Sequence, residues 1–265
     1  MAVERGLVEA FCHAIGRSET DHVPPTFAVV ADRFDPDFPR RPAPGAGWPD
    51  GPPETMLHVE QWFDLGEPLA VGDELTVRRG LGRTWEKQGR SGRLTFLEER
   101  TELVDRAGAV RVATGWVDVR TEADHRDLTT AQRAAEARDP VPARPDEVVV
   151  VDPVTPTHLV RYVGAAGDLH PLHHDRAMAQ ALGYPDIVAP GMLTMALTAE
   201  ALLARAGAGR GGPVRLVRLA SRFRAQVWPG DALLVAVSDD GDRILSARTR
   251  NQFDEVVLET TAVTA

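Results

Sequence analysis

A carboxylate and an imidazole stand close together in the run Gly167-Asp168-Leu169-His170-Pro171-Leu172-His173-His174-Asp175. Held on one short loop, Asp168 and His173 can share a single water and move its protons, which is general acid–base chemistry. What fixes such a loop is its flanks. Thr155-Pro156 offers an N-cap followed by proline at the first helical position. Leu159, Tyr162, Val163 and Ala166 then recur at helical spacing, and Gly167 is placed to end that helix in a left-handed cap. Pro171 keeps the helix from resuming. Asp175 caps a second, shorter helix predicted from Arg176 to Leu182, which Gly183 closes. A bland use of the pair also exists: Asp168 as a helix-end acceptor, His173 satisfied by backbone. A metal cluster of Asp168, His170, His173, His174 and Asp175 is a third use. It is disfavoured because the adjacent His173 and His174 would point apart and Pro171 stiffens the loop.

The loop resembles the signature of the MaoC-like (R)-specific enoyl-thioester hydratases and hydroxyacyl dehydratases, which reads G-D-x-N-P-aliphatic-H-x-acid. Downstream, Gly183-Tyr184-x-x-Ile187-Val188-Ala189-Pro190-Gly191-Met192-Leu193-Thr194 is similar to the same family's next segment. The resemblance implies that Asp168 and His173 hold the catalytic water and that the Gly191 N–H binds the thioester oxygen. It implies no cofactor and no metal, and an acyl-CoA or acyl carrier protein-bound substrate. Two positions depart from the pattern. The family's Asn is His170 here, and the His that usually precedes the glycine is Pro190. His170, Tyr162 and Arg222 are taken as candidate substrate-binding residues.

Composition bounds the alternatives. With 265 residues the chain can build two modest domains. Its net charge of −9 argues against a general nucleic-acid or anionic-membrane binder. No apolar run is long enough to span a bilayer, and Met1–Gly16 lacks a signal-peptide pattern. The single cysteine, Cys12, excludes an internal disulfide and suits a cytoplasmic location. It falls within an apolar helical pattern and reads as a small buried side chain, not a nucleophile.

The chain also echoes itself. Val3 to Gly16 reads as an amphipathic helix ending at glycine. Sliding Gly16 onto Gly167 puts Phe11 on Tyr162 and His22 on His173, but Arg17 where Asp168 should be. Gly72-Asp73 likewise echoes Gly230-Asp231, each launching strand-like runs. These runs are Leu75–Trp85, Arg93–Val104 and Val110–Val119, then Glu147–Val151, Val214–Ala225, Leu233–Ser238, Ile244–Asn251 and Val256–Val263. Helices followed by an antiparallel meander argue an α+β class. By resemblance each half is a hotdog fold, a curved antiparallel sheet around a helix, giving a double hotdog with two sheets. The expected division is a non-catalytic half at 1–125, a linker at 126–145 and a catalytic half at 146–265, forming a monomeric pseudo-dimer or a homodimer. The long apolar helix Gly191–Arg205 belongs to the second half only. At the corresponding place Asp35–Pro53 is crowded with Pro and Gly and has no helical period, which fits either an open groove able to admit a bulky acyl chain or a disordered surface loop with no role.

Three further features complete the reading. Arg218, Arg222 and Arg224 alternate onto one face of a strand, where they would meet a coenzyme A phosphate, an acidic carrier-protein helix or simply solvent. His58 resembles a site-facing histidine of dehydratase N-terminal domains. The competing functions are a hotdog acyl thioesterase, for which Glu200 is the helix-borne carboxylate, and a non-catalytic acyl-binding partner subunit. The intact Asp168 and His173 argue against the non-catalytic subunit, and reversible hydration of 2-enoyl thioesters is the expected activity.

Overall fold

A computed structural model describes residues 1–18, 22–34, 56–89, 92–121, 139–208 and 214–265. In chain order these form helix α1 (Arg5–Ala14), a 3-10 segment (Pro25–Phe34) and strands β1 (Met56–Leu65), β2 (Thr76–Gly89), β3 (Gly92–Val104) and β4 (Val110–Thr121). The second set is β5 (Glu147–Val151), α2 (Pro156–Ala166), a 3-10 turn (Pro171–His173), α3 (Arg176–Ala181), α4 (Gly191–Ala208), β6 (Leu216–Phe223), β7 (Leu233–Gly241), β8 (Ile244–Asn251) and β9 (Val256–Thr264).

The local signals that predicted the helices act as expected. The Thr155 hydroxyl accepts from the His158 N–H at 3.1 Å, with Pro156 opening α2. Gly167 closes α2 at φ 84°, where a side chain would be strained. The Asp175 carboxylate accepts from the Met178 N–H at 3.1 Å and caps α3.

The strands form one sheet in the order β2-β3-β4-β1-β6-β9-β8-β7-β5, with antiparallel neighbours. The expected pair of separate sheets is therefore corrected to a continuous one. β1 and β6 join the halves, pairing from Glu60 opposite Arg222 to Asp64 opposite Arg218. The order is a palindrome about this seam, β2-β3-β4-β1 against β6-β9-β8-β7, as duplication requires. The duplicated turns repeat bond for bond. Gly72 N donates to Val3 O at 2.9 Å and Gly230 N to Val154 O at 2.8 Å. Ala70 N donates to the Asp73 carboxylate at 2.9 Å and Trp228 N to the Asp231 carboxylate at 2.8 Å. Both glycines have φ 99°.

Sequence periodicity missed β1. Its alternation is broken at the middle: Gln61 is buried on the inner face beside Phe63, while the large Trp62 lies outward between Arg100 and Arg218, 5.7 and 5.9 Å from its ring centroid. The inner face of the second half packs on α4, which is buried nearly all round. The segment 35–53, read as an open groove or a surface loop, and most of the linker lie outside the described residues. One core cluster spans both halves. At its centre Phe11 meets its own duplicate, Tyr162, with ring centroids 5.6 Å apart, and Phe27 at 5.5 Å edge-on.

Candidate functional site

The loop between α2 and α3 is pinned from the other half. The Arg33 guanidinium of the first 3-10 segment donates to Gly164 O. The Arg33 side chain packs so closely that a Cβ on Gly167 would lie 2.9 Å from its Cβ. Position 167 thus needs glycine twice, for its φ and for this approach. On the loop, His173 Nε2 and Asp168 Oδ2 are 3.5 Å apart. His173 Nδ1 donates to Val188 O at 2.7 Å. A carbonyl only accepts, so a proton sits on Nδ1, and Nε2, the acceptor of a neutral imidazole, is turned toward the carboxylate. Two acceptors facing each other make a seat for the two hydrogens of one water. His170 Nδ1 accepts from the Leu172 N–H at 3.1 Å and so caps the 3-10 turn. An asparagine carboxamide oxygen would do the same, so histidine here preserves the turn.

Asp168, His170, His173, Tyr162 and Gly191 line a single cavity of about 510 Å³, a size suited to a small organic ligand. Tyr162 is fully buried and its hydroxyl has no hydrogen-bond partner among the described residues. Burial, and then the Asp168 charge, push its phenol well above the usual range, so it stays a donor. Gly191 is the first residue of α4, where a backbone N–H has no acceptor within the helix and the dipole favours negative charge. A Cβ at Gly191 would lie 2.9 Å from the Phe223 ring, which itself lines the cavity and packs on His58 at 4.7 Å. Gly191→Ala is expected to push Phe223 into the cavity and lower kcat/KM by about tenfold, the cost of modest overpacking. Steady-state kinetics beside a thermal melt would separate this from unfolding.

The structure separates other candidates from the cavity. Arg222 turns to the outer face and ion-pairs with Glu60 across the seam, Nη2 to Oε1 at 2.6 Å, instead of lining the wall. Arg218 pairs with Asp64 in the same way. Arg224 reaches the cavity rim while bound to Glu259. Glu200 pairs with Arg17, at 3.4 Å, away from the cavity wall. Arg17 is the residue that stands where the first half would need its acid, and it is engaged in that ion pair. Among the described residues no three His, Cys, Asp or Glu side chains are grouped to hold a metal. His173 and His174 turn apart, to Val188 O and Leu169 O. Cys12 is buried.

Sequence reasoning overlooked one wall. Ala28, Val29 and Asp32 of the first 3-10 segment and Gln61, Thr101 and Asp118 of the first-half strands line the same cavity. The site is thus built by both halves. His58 lines it as well, its Nε2 donating to Glu60 O at 3.0 Å.

The fold is of the hotdog kind, and the likenesses that follow make the chain a hydro-lyase. Residues 136–261 match the MaoC like domain and residues 13–114 the FAS1-like dehydratase domain region. The chain is thus similar in its second half to MaoC-like dehydratase domains, and in its first to a dehydratase region. It is 25% identical over 250 residues to the enoyl-CoA hydratase ChsH3 of Mycobacterium tuberculosis, covering 91% of this chain and 80% of that one. It is 22% identical over 217 residues to the peroxisomal enoyl-CoA hydratase 2 of Arabidopsis thaliana, covering 78% and 67%. A MaoC-like dehydratase from Phytophthora capsici superposes with a TM-score of 0.75 at 18% identity, over 99% of this chain and 93% of that one. No helix among the described residues is long and apolar enough to cross a membrane.

Proposed function

We propose that the protein hydrates 2-enoyl thioesters, and dehydrates (R)-3-hydroxyacyl thioesters, at one site in residues 146–265. Residues 1–125 form a non-catalytic half of a double hotdog, joined through 126–145. The observation that carries this is the 3.5 Å approach of His173 Nε2 to Asp168 Oδ2 on the wall that also holds Gly191. One water donates to both groups and presents a lone pair to C3 of the substrate. The C3–O bond forms, the C2=C3 π pair moves onto the thioester, and the water's proton passes to the dyad. The Gly191 N–H stabilises the resulting oxyanion at the positive end of α4. C2 then takes that proton back from the dyad, which returns to its starting state, so H and OH have been added across the double bond. Relatives named enoyl-CoA hydratase support coenzyme A as the thiol; acyl carrier protein is the other carrier of the same thioester. Hydrolysis of the thioester is the weaker reading, because Glu200 lies off the cavity and is paired with Arg17.

The test is loss of enoyl conjugation when pure protein meets a chain-length series of enoyl-CoA esters, with free thiol followed in parallel. Hydration without thiol release is expected. Thiol release without hydration would reverse the two readings.

A further inference from the structure

Gly191 does not have a positive φ, so its backbone conformation does not call for glycine. What it needs is room. A Cβ at this position would meet Phe223 Cε1 at 2.9 Å, Cδ1 at 3.2 Å and Cζ at 3.3 Å. One edge of the Phe223 ring therefore fills the place of the missing side chain. On a helix the Cα–Cβ bond tilts toward the N-terminus, and the first N–H groups point the same way. The ring edge thus stands on the side of Gly191 where its N–H would meet a ligand oxygen, and Phe223 lines the same cavity as Asp168 and His173.

The ring is held from both sides. Phe223 ends β6, where it pairs with Leu258 of β9, and the next N–H, of Arg224, donates to Val257 O at 2.9 Å. From the first half His58 packs on the ring, with centroids 4.7 Å apart and planes at 58°. The His58 Nε2 is tied in turn to Glu60 O at 3.0 Å. A ring clamped between a helix start and a strand of the other half moves aside only at a cost in packing. C2 of an enoyl thioester lies two bonds from the thioester oxygen, so it comes to rest beside this edge. We infer, on the hydratase reading above, that Phe223 determines specificity at C2. It admits a flat enoyl unit with hydrogen at C2 and rejects one with a methyl or larger branch there. Branches near the far end of the acyl chain lie beyond the ring and escape it.

The experiment compares enoyl-CoA esters of equal length: one plain, one methylated at C2 and one methylated near the far end. The methyl group's own effect on reactivity at C2 is the same in every variant, so a change in the ratio between variants reports the ring. Phe223→Ala and Phe223→Leu should raise kcat/KM for the 2-methyl ester relative to the plain one by about tenfold, the scale of one carbon's space in an apolar pocket. The ratio for the far-methylated ester should not move. Should Phe223→Ala fail to fold, Phe223→Leu serves for the same ratios. A 2-methyl ratio unchanged in the variants, or both ratios rising together, would overturn the inference while leaving hydration standing. If wild type hydrates none of the esters, the hydratase reading falls, and calorimetric affinities of wild type and variants for the same esters still decide the inference by the same ratios.

Discussion

Asp168→Asn should lower kcat by roughly 10²- to 10⁴-fold, the range for loss of a positioned acid–base group. The substitution is nearly isosteric. Its carboxamide oxygen can still accept the His170 N–H, which meets Asp168 Oδ1 at 3.3 Å, so the loop should keep its shape. What is lost is the charge and one of the two acceptors facing the water. His173→Ala removes the other acceptor and should cost a similar factor. Because both groups grip one water, the double variant should be scarcely worse than either single one. KM should move little, since neither variant alters the cavity beyond the dyad. Single-turnover hydration of an enoyl-CoA ester checks the series. Losses that multiply in the double variant would show that the two side chains work independently, against the shared-water geometry.

Arg250→Met should destabilise the fold by about 2–4 kcal/mol, somewhat below the usual cost of stranding one member of a buried ion pair, because Glu147 keeps the Arg144 N–H at 2.7 Å and its guanidinium at 3.0 Å. Arg250 is 1% exposed, and its guanidinium forks onto Glu147, Nε to Oε1 at 2.7 Å and Nη2 to Oε2 at 2.6 Å. It also donates to Pro142 O at 2.9 Å and to Asn251 O at 3.1 Å. The fork therefore ties edge strand β5 and the chain just before it to β8. Replacing Glu147 with Gln in the same protein should recover part of the loss, because no charge then remains buried without its bidentate partner. Denaturant unfolding of the single and double variants gives the comparison; a neutral Arg250→Met would mean the fork contributes nothing.

The same pair sets a pH dependence. Hydrogen bonds from Arg250, chiefly, hold the Glu147 carboxyl down to about 2 from its usual value of 4.5. A carboxyl depressed in the folded state binds its proton more readily when unfolded. Its contribution is therefore complete above about pH 4.5 and is lost as pH falls from there toward 2. Wild type should lose stability across that window more steeply than the Glu147→Gln variant, as unfolding midpoints taken at stepped pH would show.

Much of this was legible along the chain because it depends on short-range chemistry. Thr155, Gly167, Pro171 and Asp175 act on backbone groups within a few residues of themselves, so their types and spacing determine the loop that carries Asp168 and His173. The duplicated Gly-Asp turns are local in the same sense, and their hydrogen bonds repeat as the sequence echo implies. The pairing of strands is not local. β1 breaks its own alternation, with Gln61 inward and Trp62 outward, a pair that makes sense only beside Arg100, Arg218 and the buried Thr114 hydroxyl. Without it the join of two half-sheets into one could not be read. Arg222 shows the same limit: its alternation placed it on a face, and only the partner strand, bringing Glu60 alongside, decided that this face is the outside. The cavity is the clearest case. Sequence supplied the end that carries Asp168, His173 and Gly191, since that end is one loop and one helix start. Its far wall is made by residues from 28 to 118 packed against residues from 162 to 257, and contact over such separations is set by how two curved half-sheets bury their apolar faces together.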